Sequence, residues 1–481
     1  MSNLSELLPT GGGQNAVDFV ASGTLSSGQT VALKTDGTVE AVSASANPSV
    51  VGSAVVFDTS TTSYIASAFD SNLNKVVIAY RDENNSNYGT AIVGTVSGTT
   101  ISFGSAVVFN ASDAREIGIT FDSNENKIVI VYRDNGNSGY GTAIVGTVSG
   151  TSISFGSEVV FESAITLRCT AVFDTVNNKV LIAYRDFGNS NYGTAIVGTV
   201  SGTSISFGSA VVFAAGNTND ISMAFDSNVS KVVVAYRDDS NSLYGTAIVA
   251  TVSGNSVSFG TAAIFDSSAV EQNTLAFDST ANKVVIAYRA IGASSYGTAV
   301  VGTVSGTSIS FGSTVVFNSV DTYFLSSIYS ITSNKIVISY GQFGSPRNGY
   351  SIEGTISGTS ISFLDPVIFI SGTTLYISSV LDSNSNVVSI AVGSNGTESK
   401  SIIFQPQSSN SADFIGITAE AISDTATGAV NVYGGINEAQ TGLTIGSDYY
   451  VQDDGSISTT SSAVKIGQAI SATTINMMDL T

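Results

Sequence analysis

One period governs this chain. Phe57, Phe109, Phe161, Phe213, Phe265, Phe317 and Phe369 stand 52 residues apart. A second series keeps that step through Phe69, Phe121, Phe173, Phe225 and Phe277, then Tyr329 and Leu381. A third runs Tyr80, Tyr132, Tyr184, Tyr236, Tyr288, Tyr340 and Val392. Seven copies in register, without an insertion, point to a closed ring of equal units.

Each copy reads as four strands divided by turn signals. In the second copy the first strand is Glu116–Asp122, followed by the turn Ser123–Asn126. The second strand, Lys127–Asp134, is nearly all Ile, Val and Tyr, as a strand buried on both faces requires. After an Asn/Gly loop come Tyr140–Val148, the turn Ser149-Gly150-Thr151, and a fourth strand Ser152–Phe161. No helical period occurs. Four antiparallel strands in a unit of this size match a propeller blade, so the reading is all-β: a seven-bladed β-propeller over residues 49–405.

The ends of the repeat suggest how such a ring closes. The seventh copy has Leu375–Asp382, Asn386–Gly393 and Ser399–Gln405, but no fourth strand follows. The missing strand stands before the first copy, where SVVGSAVVF at Ser49–Phe57 matches SISFGSAVVF at Ser102 onward. An N-terminal strand in the last blade leaves no long free sheet edge. A linear solenoid would have no reason to divide one unit between its two ends.

Chain direction sorts the connections onto two faces. Those after the first and third strands hardly vary: DSNxNK (Asp70–Lys75, Asp122–Lys127) and SGT (Ser97–Thr99, Ser149–Thr151). Those between the fourth strand and the next first strand diverge: DTSTTSY from Asp58, NASDAREI from Asn110, AAGNTND from Ala214, NSVDTYF from Asn318. Read as loops, they place recognition on one rim, with drift of unconstrained loops as the alternative. Both chain ends leave from the uniform side. Residues 15–48 and 406–481 then read as one β-rich barrel or sandwich, each half carrying an Asp-Gly hairpin signal (LKTDGTVEAV from Leu33, VQDDGSIS from Val451). Residues 1–14, with Gly11–Gly13, read as a flexible arm.

The triplet Tyr-Arg-Asp ends the second strand near the variable rim. It gives the candidate binding residues Arg81 and Asp82, Arg133 and Asp134, Arg185 and Asp186, Arg237 and Asp238, and Arg289, with Tyr88, Tyr140, Tyr192 and Tyr244 available for stacking. The competing reading, which weighs more because repeat-invariant residues usually serve the repeat, is a ladder of ion pairs between blades. DSNxN resembles the start of a calcium loop, but Lys75 and Lys127 stand where the sixth-position Gly should be, so a plain turn is expected.

Composition removes several function classes. The chain has no His, no Trp and one Cys, which excludes His-based triads and common zinc sites. Without Trp it cannot carry the SxDxGxTW boxes of sialidase-type propellers. A net charge of −20 repels phosphate backbones, so nucleic acid is not an expected partner. Apolar runs are too short to span a membrane, and Met1–Asn15 lacks a secretory pattern. Cys169, where other copies mostly carry Ile, is expected to be a small core residue. No cofactor or metal is implied, and the expectation is a binding protein, not an enzyme; an enzyme would need a carboxylate pair at the channel mouth.

The flanks resemble a known group. SELLPTGGGQNAVDFVASGTLSSGQTVALKTDGTVEAV and AEAISDTATGAVNVYGG with GLTIGSDYYVQDDGSIS are similar to the terminal segments of virion structural proteins of tailed phages, especially marine ones. The resemblance covers roughly the outer 110–120 residues and brings no catalytic residue with it. It implies a virion-surface protein made in the host cytoplasm, docked on other virion proteins through residues 1–48 and 406–481, in several copies per particle. The propeller would then meet a host-surface glycan or protein, as a tail-fibre or tail-tip component. A capsid decoration or head fibre, and a soluble lectin-like propeller, are the alternatives.

Overall fold

The molecule is described by a computed structural model covering residues 15–344, 347–393, 398–462 and 464–478. The expected arm at residues 1–14 lies outside the described residues. The chain is all-β, with only short 3-10 turns besides strands among the described residues, and divides into two compact units: Val50–Pro406, and Met1–Ser49 with Gln407–Thr481.

In the larger unit the most apolar segments become the second strands. They run from Lys75–Asp82, through Lys127–Asp134, to Lys335–Gln342 and Val387–Gly393. Ile128 to Tyr132 are at most 1% exposed, because each such strand pairs on both edges and packs on both faces. The turn before it is closed by an aspartate. Asp122 Oδ1 accepts the amides of Asn124 (2.9 Å) and Glu125 (3.0 Å), and Asn126 takes the left-handed conformation at φ 54°. Asp70 and Asp382 make the same turn, and no cluster of metal-ligating side chains occurs among the described residues.

Two expected boundaries move. The fourth strand is split: Ser152–Phe155 pairs with Gly146–Ser149, and Val159 onward pairs with Tyr140–Ala143. Gly156 sits in the gap, where a Cβ would overlap the carbonyl oxygen of Thr203 in the next sheet. The same glycine contact recurs at Gly104, Gly208, Gly260 and Gly312, and at Gly52 against Thr99. Second, the variable segments expected to be loops are mostly strand. Val107–Asp122, Val211–Asp226 and Val315–Ser330 are continuous, although in the first copy the strand breaks between Asp58 and Thr62. Their Asn, Ser and Asp residues read locally as turn formers. Their backbone instead pairs with one sheet at its start (Val107↔Ala91) and with the next at its end (Phe121↔Ile128), and tertiary pairing overrides propensity.

The phenylalanine series lies between consecutive sheets. Phe161 leaves one sheet and packs its ring 5.3 Å from Tyr184 and 5.8 Å from Phe207 of the following one. Apolar clusters fill each such junction, as Val129, Val131 and Ala143 do against Val180, Ile182 and Tyr184. A cluster of the same make-up joins Val387, Ala391 and Ile403 of the seventh sheet to Val76, Ile78 and Tyr80 of the first. The seventh sheet receives its fourth strand from the N-terminal side: Val50 and Val51 pair with Gln405 and Phe404, and Val55, Val56 and Asp58 with Ser401, Lys400 and Ser399.

The smaller unit interleaves both ends of its sequence. One five-stranded sheet has the order Ala16–Val20, Thr427–Val432, Phe414–Thr418, Thr30–Leu33, Val39–Ala41. A second five-stranded sheet comes from 436–476 alone. Ala32, Phe414 and Ile417 of the first share a core with Val451, Ile466 and Ile475 of the second. The two Asp-Gly turns are built alike: Lys34 N donates to Thr38 O and Gln452 N to Ser456 O, both at 2.8 Å, with Gly37 and Gly455 at φ 85° and 81°.

Candidate functional site

Each first strand of the larger unit contains one bulge. The register slips at the same place in all seven sheets, between Arg115 and Gly118 in the second and between Asn219 and Ser222 in the fourth. At each slip one non-glycine residue is left-handed: Tyr64, Glu116, Arg168, Asp220, Gln272, Phe324 and Tyr376, with φ from 48° to 54°. Outside glycine such a conformation costs about 1–3 kcal/mol and persists only where the surroundings impose it. A bulge re-aims its side chain. Here all seven line one cavity of about 550 Å³, each followed by a second lining residue such as Ile65, Ile117 or Cys169.

The ring of side chains has two chemical arcs. From the second sheet to the sixth, acids and arginines alternate. Glu116 and Arg168 are 4.0 Å apart, Arg168 and Asp220 4.0 Å, Asp220 and Arg237 3.3 Å, and Arg237 and Glu271 3.2 Å. Glu271 continues to Arg289 at 2.6 Å and Arg289 to Asp321 at 2.8 Å. The sixth, seventh and first sheets supply rings: Phe324 and Tyr376 lie 5.3 Å apart and Tyr376 and Tyr64 5.8 Å. Neighbours are also tied through the backbone, since Glu116 Oε2 accepts from Arg168 N (3.1 Å) and Gln272 Oε1 from Phe324 N (2.6 Å).

Burial and charge tune these groups against one another. Burial raises the pKa values of Tyr64 and Tyr376, since it disfavours the charged phenolate. Burial opposes the charge on Arg237, but the bond to Asp239 and the charges of Asp220, Asp239 and Glu271 overcome it and raise its pKa. Arg185 goes the other way. Burial and then the charge of Arg168 lower its pKa, and both guanidiniums donate to Asn219 Oδ1, at 2.8 Å from Arg185 and 3.5 Å from Arg168. Burial pushes the Cys169 thiol up to about 12, as fits a small core residue in the cavity wall.

Most residues singled out by the triplet do other work. The aspartates hold the loops that follow them: Asp82 accepts from Asn84 and Asn85, Asp134 from Gly136 and Asn137, Asp186 from Asn189, Asp238 from Ser240. They are not the acids of the ion-pair ladder. Those acids come from the variable segments, as with Arg81 and Asp113 at 2.7 Å. Arg133 and Arg185 make no ion pair among the described residues, and each has a buried Nε without a partner. Tyr88, Tyr140, Tyr192 and Tyr244 are half-buried opposite those aspartates and do not line the cavity. Of the candidates, Arg237 alone reaches it, with Arg289 one step away along the ladder.

The repeat gives no mark of the left-handed residues, because their position is one at which the copies differ. The signal lies in that variation itself: Tyr, Glu, Arg, Asp, Gln, Phe and Tyr occupy one register position, beside columns that hardly change.

No protein-family model and no curated protein matches this chain. Among solved structures, a structure of the BP39L lectin from Burkholderia pseudomallei is similar in fold, at 9% identity and a TM-score of 0.55, over 73% of this chain and 99% of that one. A protein of unknown function from Dyadobacter fermentans aligns over 75% of this chain and 98% of its own, at 11% identity and a TM-score of 0.46.

Proposed function

We propose that the seven sheets are the blades of one β-propeller and that its axial cavity binds a glycan, as a lectin does. The first and seventh sheets meet through the same glycine contact and the same kind of apolar cluster as the other pairs, which supports a ring. One observation carries the function. Seven side chains of six kinds occupy one strained backbone position around a shared cavity, aromatic on one arc and charged or amide on the other. Aromatic rings pack the C–H face of a sugar, and carboxylate and guanidinium groups give charge-assisted bonds to its hydroxyls. Likeness to a lectin fold agrees with this reading.

The intact chain is expected to bind a soluble oligosaccharide from a bacterial-surface glycan panel in titration calorimetry. The double change Tyr64→Ala and Tyr376→Ala should weaken binding about 100-fold, as loss of a buried aromatic anchor does. Tyr88→Ala should leave it within about twofold. An affinity that follows Tyr88 and ignores Tyr64 and Tyr376 would put the site elsewhere.

The setting we propose is the surface of a phage particle, with the terminal unit docked and the propeller presented to the host. It rests on the resemblance of the flanks. Many copies per particle would raise avidity by on the order of 10²–10⁴, so weak single-site binding would suffice. Labelling the chain on intact particles distinguishes a tail fibre from a capsid decoration.

A further inference from the structure

The sixth copy, like the seventh with Val392-Gly393, lacks the triplet. Tyr340-Gly341-Gln342 stands in place of Tyr-Arg-Asp, and Gly341 pairs with Tyr323 as Arg289 pairs with Glu271. Five sheets fill this position with a guanidinium. Here nothing does, and a second cavity of about 210 Å³ opens, sharing Phe324 with the axial one. Its walls are Tyr323, Phe324, Phe343 and Leu375, and Gln342 and Thr374 add polar groups.

Arg347 also lines this cavity. Its guanidinium carbon lies 4.9 Å from the centre of the Phe343 ring, and it makes no ion pair among the described residues. Stacking on a ring uses the face of a guanidinium and leaves its edge donors free. Asp321, the acid that bonds the Tyr323 hydroxyl of this wall (2.8 Å), holds Arg289 on its other oxygen (2.8 Å).

We infer that this cavity is a second subsite, that it takes a carboxylate-bearing sugar residue of a glycan extended from the axial cavity, and that the edge of Arg347 holds the carboxylate. Rings and apolar wall receive the sugar ring, and a planar guanidinium suits a carboxylate bidentately. The inference rests on the glycan-binding reading and adds the ligand class: an acidic oligosaccharide.

Titration of the intact chain with sialyllactose against lactose, and with trigalacturonate against its carboxyl-reduced form, tests it. The acidic member of at least one pair should bind ten times more tightly or better. Arg347→Met, which keeps the apolar stem, should bring that ratio close to one without changing the affinity for the neutral member. Arg347→Lys should keep part of the ratio. Since Arg347 is exposed, neither change should move the melting midpoint. Equal binding of acidic and neutral members, or a ratio that survives Arg347→Met, overturns the acidic subsite and leaves the axial glycan site standing if neutral binding still depends on Tyr64 and Tyr376. Failure of all four probes and of the wider panel overturns both.

Discussion

Gly193→Ala is expected to destabilise the larger unit by about 3 kcal/mol, the upper end of what overpacking a tight core costs. The added methyl would lie 2.5 Å from both Cε2 and Cζ of Phe213. That ring cannot step aside cheaply, since Tyr236 and Phe259 hold it at 5.4 and 5.6 Å and it is only 7% exposed. Gly98→Ala supplies the contrast. Its turn has φ 57° but no atom near the new methyl, so only the left-handed penalty of about 1 kcal/mol applies. Denaturant midpoints of the two variants should separate these costs. Equal losses would mean that the phenylalanine column is looser than its packing suggests.

Arg237→Met should lose both stability and glycan binding. One guanidinium here meets three carboxylates: Asp239 at 2.6 Å, Glu271 at 3.2 Å and Asp220 at 3.3 Å, while only 15% exposed. Removing it leaves half-buried acids facing one another, and hydrogen bonds to charged groups are worth about 1.5–3 kcal/mol each in such settings. A loss of about 2–3 kcal/mol is expected, together with at least tenfold weaker binding, because Asp220 and Glu271 line the cavity. Raising the salt concentration should mimic only part of the effect, since Arg237 itself is only 15% exposed. Binding of normal strength by a destabilised Arg237→Met would mean that the charged arc serves the fold only.

The sequence made strands legible wherever apolar pattern and turn chemistry coincide. Lys127–Asp134 is bounded by Asn126 and by the loop that Asp134 closes, and its limits could be read directly. The match of Ser49–Phe57 to a fourth strand likewise pointed to the pairing seen at Val50, Val51 and Val55–Asp58. The bulge could not be read. A period of two says which face a side chain takes, but an extra residue shifts that face only through pairing with another strand. Segments such as NASDAREI therefore looked like loops, while their last residues turn into the cavity. Arg133 and Asp134 are candidates in the sequence because they stand near the variable rim, and their recurrence in four copies already favours a structural role. Asp82, Asp134, Asp186 and Asp238 recur because each closes the loop that follows it; the fifth copy carries Ala290 there, with no side-chain cap.

The ring itself can be tested by linking its two ends. Ser67 in the first sheet and Ser378 in the seventh are 311 residues apart in sequence, yet their hydroxyl oxygens lie 2.7 Å apart. With Cys169→Ser to remove the native thiol, Ser67→Cys and Ser378→Cys should form a disulfide within single chains under mild oxidation, since disulfides need their Cβ atoms about 3.5–4.5 Å apart. Intramolecular cross-linking of nearly the whole population is the expected result. Free thiols, or links only between separate chains, would contradict the ring and with it the axial cavity.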